Sequence, residues 1–585
     1  MIEKEGFFRD CGENNHRLND LSRVKIHGEG EDDMNMQERI MKYMQDYIKV
    51  VTDTGTEKES NSTGFFAQWF KEQPYFQEHP NHWGLYPIEG DSLKRQVPWG
   101  LLRGTGQDTI VLIHHSDTVD TDDYGKWAHL ATDPEALMDH YRSQEVKLDQ
   151  DSLNDLESGE WYFGRGVCDM KGGAAIHMAL LESYCQETDF HGNLVIIAVP
   201  DEENLSAGMR GAVPLLQRLK EKHQLNYVLM LNVEPHERSQ QAVGMMYQGA
   251  VGKLMPVVYV KGKLAHVGQV YRGLNPINLL SEIIRKTEVS TDFIESVGNT
   301  TTMPPTWLYA KDQKHVYDVS LPIAAAGYMN LLTLDRSPGD IFEQLRKICE
   351  EAFHQIILEV NNSYHQYLKI SDQELPPLEW KPKVRLYGEV ASEAKRDSGE
   401  AYQKAIDEVM IAVKKGIAAN EMTLIDGAYR LIETTLDYVN DPSPVVVIAL
   451  APPYYPNVHN GMIPEKAAKV NEAVEAVRNF AHQEWHQSYE VKDYFTGICD
   501  LSYAMFQADD ENIAYIEENM LMWKGLYYIP LEMIRSLSIP VLNLGPWGKD
   551  FHKNTERVYL PDLLERTPKM VDVLIRELLG QHKKS

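Results

Sequence analysis

The chain has 585 residues, of which 43% are hydrophobic and 25% charged, and its formal net charge is −29. This size predicts several globular domains, and the strong negative charge disfavours binding to nucleic acid or to anionic membrane surfaces. No stretch approaches the roughly 18 apolar residues that a membrane-spanning helix needs, and the five scattered cysteines form no CxxC pair. We therefore expect a cytoplasmic protein without a disulfide framework or a thiolate metal site.

The N-terminal part of the chain begins with a polar segment and continues with two helices. Residues 1–34 are acidic and lack periodicity, which predicts a disordered tail. Apolar residues recur at helical spacing from Met36 onward and predict the first helix. Polar residues at 61–63, followed by an aromatic run, indicate the start of a second helix.

Short apolar runs rich in β-branched residues then alternate with helical segments. The predicted strands are 109–113, 194–199, 227–233, 445–450 and 539–544, and two helical segments between them are 173–184 and 213–221. Strands that are apolar throughout and alternate with helices indicate a sheet covered on both faces. The predicted fold class is therefore α/β, and ligands are expected beyond the carboxyl ends of its strands.

The predicted α/β domain is interrupted by a second region. Residues 35–250 and 442–585 are expected to form the first and second parts of one catalytic domain with a central mixed sheet flanked by helices. Residues 251–441 carry strands and helices of their own and predict a smaller α+β domain. Within this region, 361–441 is a strongly charged helical insertion that ends at a proline pair.

Potential metal ligands follow four of the predicted strands. These residues are His114, His115, Asp117, Glu202, Glu203, Glu234 and His552, and Asp169 lies in a glycine-bracketed loop that opens onto a helix. Each of them alone is more often a solvated charge or a hydrogen-bonded side chain than a ligand. Together, however, they lie at successive strand ends on one edge of the sheet. This joint placement indicates a common site.

The residue types suit a pair of divalent ions. Two ions about 3.5–4 Å apart need a shared carboxylate, and nitrogen and oxygen ligands without thiolates suit zinc in an open catalytic site, with manganese or cobalt as alternatives. Asp117 is close enough in sequence to orient His115. Since neighbouring residues at a strand end point in opposite directions, one of Glu202 and Glu203 can bind metal while the other takes a proton.

Five motifs occur in the order typical of a known family. They are H-x-D-x-V at 115–119, G-R-G-x-x-D-M-K-G-G at 164–173, D-E-E at 201–203, E-P at 234–235 and H-x-x-x-E at 552–556. The chain thereby resembles the dinuclear zinc peptidases that include glutamate carboxypeptidase, aminoacylase, acetylornithine deacetylase and succinyl-diaminopimelate desuccinylase. Its length, its insertion and the segment 497–503 resemble larger bacterial members that are linked to arginine utilisation.

The resemblance implies five metal ligands and two catalytic residues. The implied ligands are His115, Asp169, Glu203, Glu234 and His552, with Asp169 bridging two ions. Glu202 is implied as the general acid/base, and Asp117 as the residue that orients His115. His114 stands where the family has glycine, which leaves two candidate histidines, and the spacing to Asp117 favours His115.

The resemblance also implies that the interrupting region is a lid or dimerisation domain. His266, Asn275 and Arg336 match family positions that bind substrate. A homodimer through the lid is one expectation, in which His266 acts either in its own subunit or across the dimer. The extra helices at 361–441 would instead give a monomer if they cover the lid surface.

The predicted function is metal-dependent hydrolysis of an amide bond in a small peptide or an N-acyl amino acid, with an arginine-related substrate as one option. Glu202 and two metal ions would activate the attacking water. The alternative is a catalytically silent regulatory or scaffold protein that binds metal in the same fold.

Overall fold

The computed structural model describes residues 34–580, apart from 144–145, 239, 315, 373–377, 379 and 420. The predicted polar tail, 1–34, therefore lies outside the described residues except for Met34. Across the described ranges, none of the helices combines the length and the apolar character that crossing a lipid bilayer requires.

Helices and strands alternate along most of the chain. The α-helices are α1 (Met36–Ile48), α2 (Ser60–Glu72), α3 (Pro74–Glu78), α4 (Pro134–Arg142), α5 (Gln150–Ser158), α6 (Lys171–Cys185), α7 (Ala207–His223), α8 (Pro276–Thr287), α9 (Pro338–Ile370), α10 (Tyr387–Ala418), α11 (Leu424–Asp437), α12 (Pro464–Trp485), α13 (Asp510–Asn519), α14 (Leu531–Leu537) and α15 (Thr567–Leu579). The strands are β1 (Trp83–Pro87), β2 (Gln96–Arg103), β3 (Thr105–His115), β4 (Trp161–Phe163), β5 (His191–Val199), β6 (Asn226–Asn232), β7 (Val243–Tyr247), β8 (Gly249–Ala250), β9 (Gly252–Leu254), β10 (Pro256–Lys261), β11 (Ser296–Val297), β12 (Thr300–Thr301), β13 (Thr306–Asp312), β14 (Ala324–Thr333), β15 (Val384–Leu386), β16 (Val445–Leu450), β17 (Val458–His459), β18 (Ser488–Lys492), β19 (Val541–Asn543), β20 (Gly548–Lys549) and β21 (Arg557–Tyr559).

The first sheet has eight strands in the order β1-β2-β5-β3-β6-β19-β7-β18. Its middle strands β5, β3, β6 and β19 are parallel neighbours. Alternate residues of β3 face opposite sides: Ile110 and Leu112 belong to the core beneath α1, α6 and α15, whereas Val111 and Ile113 pack on the side of α7. The predicted mixed α/β sheet covered by helices is therefore confirmed.

The second sheet has the strand order β13-β14-β10-β16-β15, with β9 paired to β14. In β10, Val258 and Val260 face the core shared with α8 and α9, and Val257 and Tyr259 face the core shared with α11. The helices of the predicted insertion therefore supply one of the two layers that cover this sheet.

The sequence-based assignment of one strand is wrong. The run 445–450 was expected to resume the first sheet, but β16 pairs with β10 and β15 in the second sheet. All six residues of β16 are buried. Such an apolar strand fits a covered position in either sheet. An apolar run reveals burial on both faces but not the identity of the neighbouring strand.

Candidate metal centre

The carboxyl ends of the parallel strands bring most of the predicted ligands together. His115 is the last residue of β3, and Glu202 and Glu203 are the third and fourth residues after β5. Glu234 comes two residues after β6, and His552 lies in the loop beyond β20. Because parallel strands end at the same edge of a sheet, the segments at the ends of β3, β5 and β6 converge on one rim. His552 comes from a separate three-stranded sheet with the order β20-β21-β4.

The remaining predicted ligand, Asp169, lies in the loop that leads into α6. The Glu556 carboxylate accepts hydrogen bonds from the backbone N–H groups of Cys168 and Asp169, each at 3.3 Å. It also pairs with the Arg165 guanidinium at 2.8 Å. Glu556, the last residue of the H-x-x-x-E motif, therefore fixes the loop that presents Asp169.

The two carboxylate oxygens of Asp169 face different histidines. His115 Nε2 lies 2.9 Å from Asp169 Oδ1 and 3.6 Å from Glu234 Oε1. His552 Nε2 lies 3.2 Å from Asp169 Oδ2 and 3.0 Å from Glu203 Oε1. This geometry forms two histidine-carboxylate sets that share Asp169, each compact enough to surround one ion.

A third set of side chains is also close enough together to hold a metal ion. The side chains of His115, Glu202 and Glu203 present ligand atoms within 4.8 Å of one another. Glu202 belongs to neither of the sets that share Asp169 and is 9% exposed. Its position beside both sets is compatible with a role in proton transfer. The third set gives the alternative, in which Glu202 binds metal.

The acidic side chains at the rim favour the binding of positive charge, either as protons or as metal cations. Burial alone would lower the pKa of His115, but the Glu234 and Asp169 carboxylates outweigh it and raise this pKa well above its usual value. Hydrogen bonds to Asp169 and Glu203 raise the pKa of His552 to about 10. Burial raises the pKa of Glu234 to about 8. The pKa of Asp169 is instead lowered, because hydrogen bonds from His115 and His552 outweigh its burial. Metal cations would replace the protons held by the two imidazoles and by Glu234.

Asp117 contacts His115 through its backbone rather than its side chain. His115 Nδ1 is 3.0 Å from the carbonyl oxygen of Asp117, whereas the nearest side-chain oxygen is 3.9 Å away. The Asp117 carboxylate instead accepts the N–H groups of Glu202 and Glu203, at 3.1 and 3.3 Å. Asp117 therefore connects the end of β3 to the loop after β5.

The other candidate histidine, His114, lies outside the ligand sets. Its Nδ1 is 3.4 Å from Nδ1 of the equally buried His177, and burial lowers the pKa of both rings. Successive side chains of a strand point to opposite faces, so His114 points into the core when His115 faces the rim.

Sequence reasoning missed a buried cation beneath the site. The Arg95 guanidinium pairs with Asp201 at 2.7 Å and Glu59 at 2.9 Å, and it also contacts Asp91. The second oxygen of Asp201 accepts the N–H of Ala207, where α7 begins, at 3.0 Å. Arg95 therefore helps to hold the loop that carries Glu202, although no sequence motif surrounds it.

Asp500 is a second residue that sequence reasoning did not single out. It is 2% exposed, and neither oxygen of its carboxylate has a hydrogen-bond partner among the described residues. Burial raises its pKa to about 7, against the opposing effect of His115. The only sequence signal is its place in the segment 497–503.

A cavity of about 320 Å³ opens onto the rim and contains residues of both Asp169-sharing sets. It also contains Glu202, Lys253 and Tyr455. A larger surface groove of about 600 Å³ lies between β1 and α7, but none of the predicted site residues lines it. The smaller cavity is therefore the candidate substrate site, and its volume suits a small ligand.

The three residues expected to bind substrate do not line this cavity within the described chain. His266 is exposed, and its Nδ1 accepts the N–H of Gly268 at 3.1 Å. Asn275 caps α8, and the Arg336 guanidinium donates to Gln344 at 2.5 Å. Their roles in substrate binding stay predictions.

The fold and the rim together define a class of protein, the metal-dependent hydrolases with a histidine-carboxylate centre. A family model described as peptidase family M20/M25/M40 matches residues 111–574. The chain belongs to this family, which confirms the resemblance inferred from the motifs and supports metal-dependent hydrolysis of peptides.

Relatives match over nearly the whole chain. The uncharacterized protein YqjN of Bacillus subtilis (strain 168) is 31% identical over 94% of this chain and 98% of its own length. Protein RocB of the same organism is 29% identical over 94% of this chain and 96% of its own length. Among solved structures, the di-peptidase Dug1p of Saccharomyces cerevisiae has a TM-score of 0.50 at 9% identity, covering 94% of this chain and 97% of that one. This last similarity supports the fold alone.

Proposed function

We propose that this protein is a dinuclear metallohydrolase that cleaves the amide bond of a small peptide or an N-acyl amino acid. The observation that carries the proposal is the pair of histidine-carboxylate sets that share Asp169, with Glu202 beside them. His115 and Glu234 would complete one ion site, and Glu203 and His552 the other. Mixed imidazole and carboxylate donors suit zinc, with manganese or cobalt as alternatives.

Glu202 supplies the proton transfer in this mechanism. When bound, the ions polarise the amide carbonyl and lower the pKa of water. The Glu202 carboxylate takes a proton from the attacking water as the new carbon–oxygen bond forms. It then gives this proton to the amide nitrogen as the carbon–nitrogen bond breaks. Burial raises the pKa of Glu202, which makes its carboxylate a stronger proton acceptor than that of an exposed glutamate.

The test is hydrolysis by the full chain loaded with zinc, manganese or cobalt. Dipeptides and N-acyl amino acids form the panel, and release of a free amino group is measured. We expect turnover that disappears on chelation and returns with added metal. Two bound ions without turnover of any panel member would contradict the proposal and favour the scaffold alternative.

An arginine-related substrate is a finer part of the proposal. Its support is the likeness in length and insertion to larger bacterial members linked to arginine use, together with an acidic net charge of −29 that attracts cationic substrates. We expect a higher kcat/KM on N-acyl arginine than on N-acyl citrulline, whose side chain has the same length but no charge. Equal values for the two would refute this part.

We also propose that the protein forms a homodimer through its second domain. Large apolar side chains stay exposed near His266, with Leu264 at 54%, Val267 at 51% and Tyr317 at 89%. Exposed apolar residues concentrated on one domain favour a protein interface. Light scattering should give twice the chain mass for the wild type, and Val267→Asp should reduce it to one chain mass. A wild-type monomer at micromolar concentration would contradict the proposal.

A further inference from the structure

Tyr455 places a buried phenol at the wall of the cavity. The residue is 2% exposed and lines the cavity together with Glu202. Its backbone N–H and carbonyl form hydrogen bonds of 3.0 and 2.9 Å with the backbone of Lys253 in β9. Its ring packs edge-on against the ring of Tyr503, with the ring centres 5.6 Å apart. Backbone and ring are therefore both fixed, which holds the hydroxyl beside the candidate site.

The Tyr455 hydroxyl has no close acceptor for its hydrogen among the described residues. Its oxygen accepts a hydrogen bond from Ser206 Oγ at 3.2 Å. The acceptors within reach of its own hydrogen are the carbonyl oxygens of Glu202 and Asn204, at 3.4 and 3.5 Å. Since O–H···O bonds in proteins usually measure about 2.7–2.8 Å between the oxygens, both of these bonds are weak. The phenolic hydrogen is therefore available to a stronger acceptor that enters the cavity.

The other side-chain donors in the described lining of the cavity have different partners. His552 belongs to one of the two proposed ion sites, and the Asn204 amide donates to Asp201 at 3.3 Å. The Lys253 ammonium is stabilised by the charge of the proton-transferring glutamate. Tyr455 is thus the donor in this lining that is left for the substrate.

We propose that the Tyr455 hydroxyl binds the oxyanion that forms when water adds to the substrate amide. This inference rests on the proposed hydrolase function and deepens it, because it adds a catalytic residue from this chain. As the new carbon–oxygen bond forms, the π-electron pair of the carbonyl moves onto its oxygen, and this oxygen accepts a hydrogen bond from Tyr455. The pair returns to the carbonyl when the carbon–nitrogen bond breaks.

The phenolic proton stays on Tyr455 throughout this step. Burial and the nearby Glu202 carboxylate raise the pKa of Tyr455 well above its usual value, so the hydroxyl remains a donor at neutral pH. It lies 3.4 Å from the backbone carbonyl oxygen of Glu202, so the donor and the proposed base belong to the same wall of the cavity. A donor that faces developing negative charge stabilises the transition state more than the neutral amide.

The test compares an anionic mimic of the tetrahedral intermediate with the uncharged amide. The mimics are phosphinic analogues of N-acetylarginine and alanylalanine, in which P(O)(O⁻)–CH2 replaces C(O)–NH. Calorimetry gives their Kd for the zinc-loaded protein with and without Tyr455→Phe. The Kd of each amide is measured in the same way in a Glu202→Gln background, where turnover is blocked. We expect Tyr455→Phe to weaken binding of at least one phosphinate about 10- to 100-fold, the range of a charge-assisted hydrogen bond, and to leave amide binding nearly unchanged.

Tyr503→Phe is the matched control, because it removes a neighbouring phenol. The Tyr503 hydroxyl donates to the Tyr454 carbonyl at 3.2 Å, and Tyr503 is not part of the described cavity lining. This variant should leave phosphinate binding unchanged. Equal weakening of phosphinates and amides by Tyr455→Phe, or unchanged phosphinate binding, would overturn the inference. Phosphinates that bind the wild type no more tightly than the amides would overturn it as well.

Turnover gives a second readout. In the active enzyme, Tyr455→Phe should lower kcat about 10- to 100-fold and leave KM nearly constant, because the hydrogen bond forms as charge develops. A lower kcat with unchanged phosphinate binding would mean that Tyr455 only holds the loop that carries Glu202, which also overturns the inference. Failure of the hydrolase proposal, in contrast, would appear as absent turnover with the effect on phosphinate binding intact.

Discussion

Replacing Glu202 with glutamine removes the proposed proton carrier and keeps its size. The glutamine amide cannot take a proton from water, and loss of positioned proton transfer costs about 10²- to 10⁴-fold in rate. That loss corresponds to roughly 3–5 kcal/mol of activation free energy. Glu202 is outside both sets that share Asp169, so we expect both ions to stay bound.

The stability of this variant should not fall. Burial raises the pKa of Glu202, which means that the folded protein disfavours its ionised form. A neutral amide at this position removes that cost. The variant should therefore unfold at the wild-type temperature or slightly above it, so that lost activity cannot be attributed to unfolding.

The assay combines kcat, the number of bound ions after dialysis, and the unfolding temperature. Glu203→Gln is the matched control, since it makes the same chemical change one residue away, at a proposed ligand. We expect the control to lose metal and activity together. Our reasoning is refuted if Glu202→Gln keeps full activity. It is also refuted if this variant loses an ion, because the third set, with His115, Glu202 and Glu203, would then hold the metal.

Three further predictions concern stability and metal binding. Arg95→Met leaves the buried Asp201 without its cation, and we expect the free energy of unfolding in urea to fall by about 3–5 kcal/mol. A change below about 1 kcal/mol would contradict the stabilising role that we assign to the Arg95 ion pairs. In metal-free protein the pKa of Asp500 is raised from 3.8 to about 7. The folded state therefore holds a proton that the unfolded chain releases. As a result, the free energy of unfolding falls as pH rises from about 4 to 7. Asp500→Asn should therefore gain stability relative to wild type across that range, by up to about 4 kcal/mol, and a difference that is constant with pH would refute the burial argument. Zinc added at a hundred times its Kd should stabilise metal-free protein in thermal unfolding by about 2.7 kcal/mol for each ion site. His552→Ala should reduce the total gain, and an equal gain in that variant would remove His552 from the site.

Sequence alone determined the residues that gather at the rim. Strand and helix patterns located the carboxyl-terminal ends of β3, β5 and β6, and a ligand-type side chain lies at or just after each end. Since parallel strands share an edge, local pattern was enough to predict that His115, Glu202 and Glu234 converge. The order of five motifs also predicted the family, which the matched family model confirms.

Only the tertiary structure decided which groups act on one another across the chain. It assigned β16 to the second sheet, because an apolar run specifies burial but not the neighbouring strand. In the folded protein, the Asp117 carboxylate accepts hydrogen bonds from the loop after β5, and Arg95 forms an ion pair with Asp201. Such contacts join residues far apart in sequence. They depend on how strands order and cores close, which periodicity and short motifs do not encode.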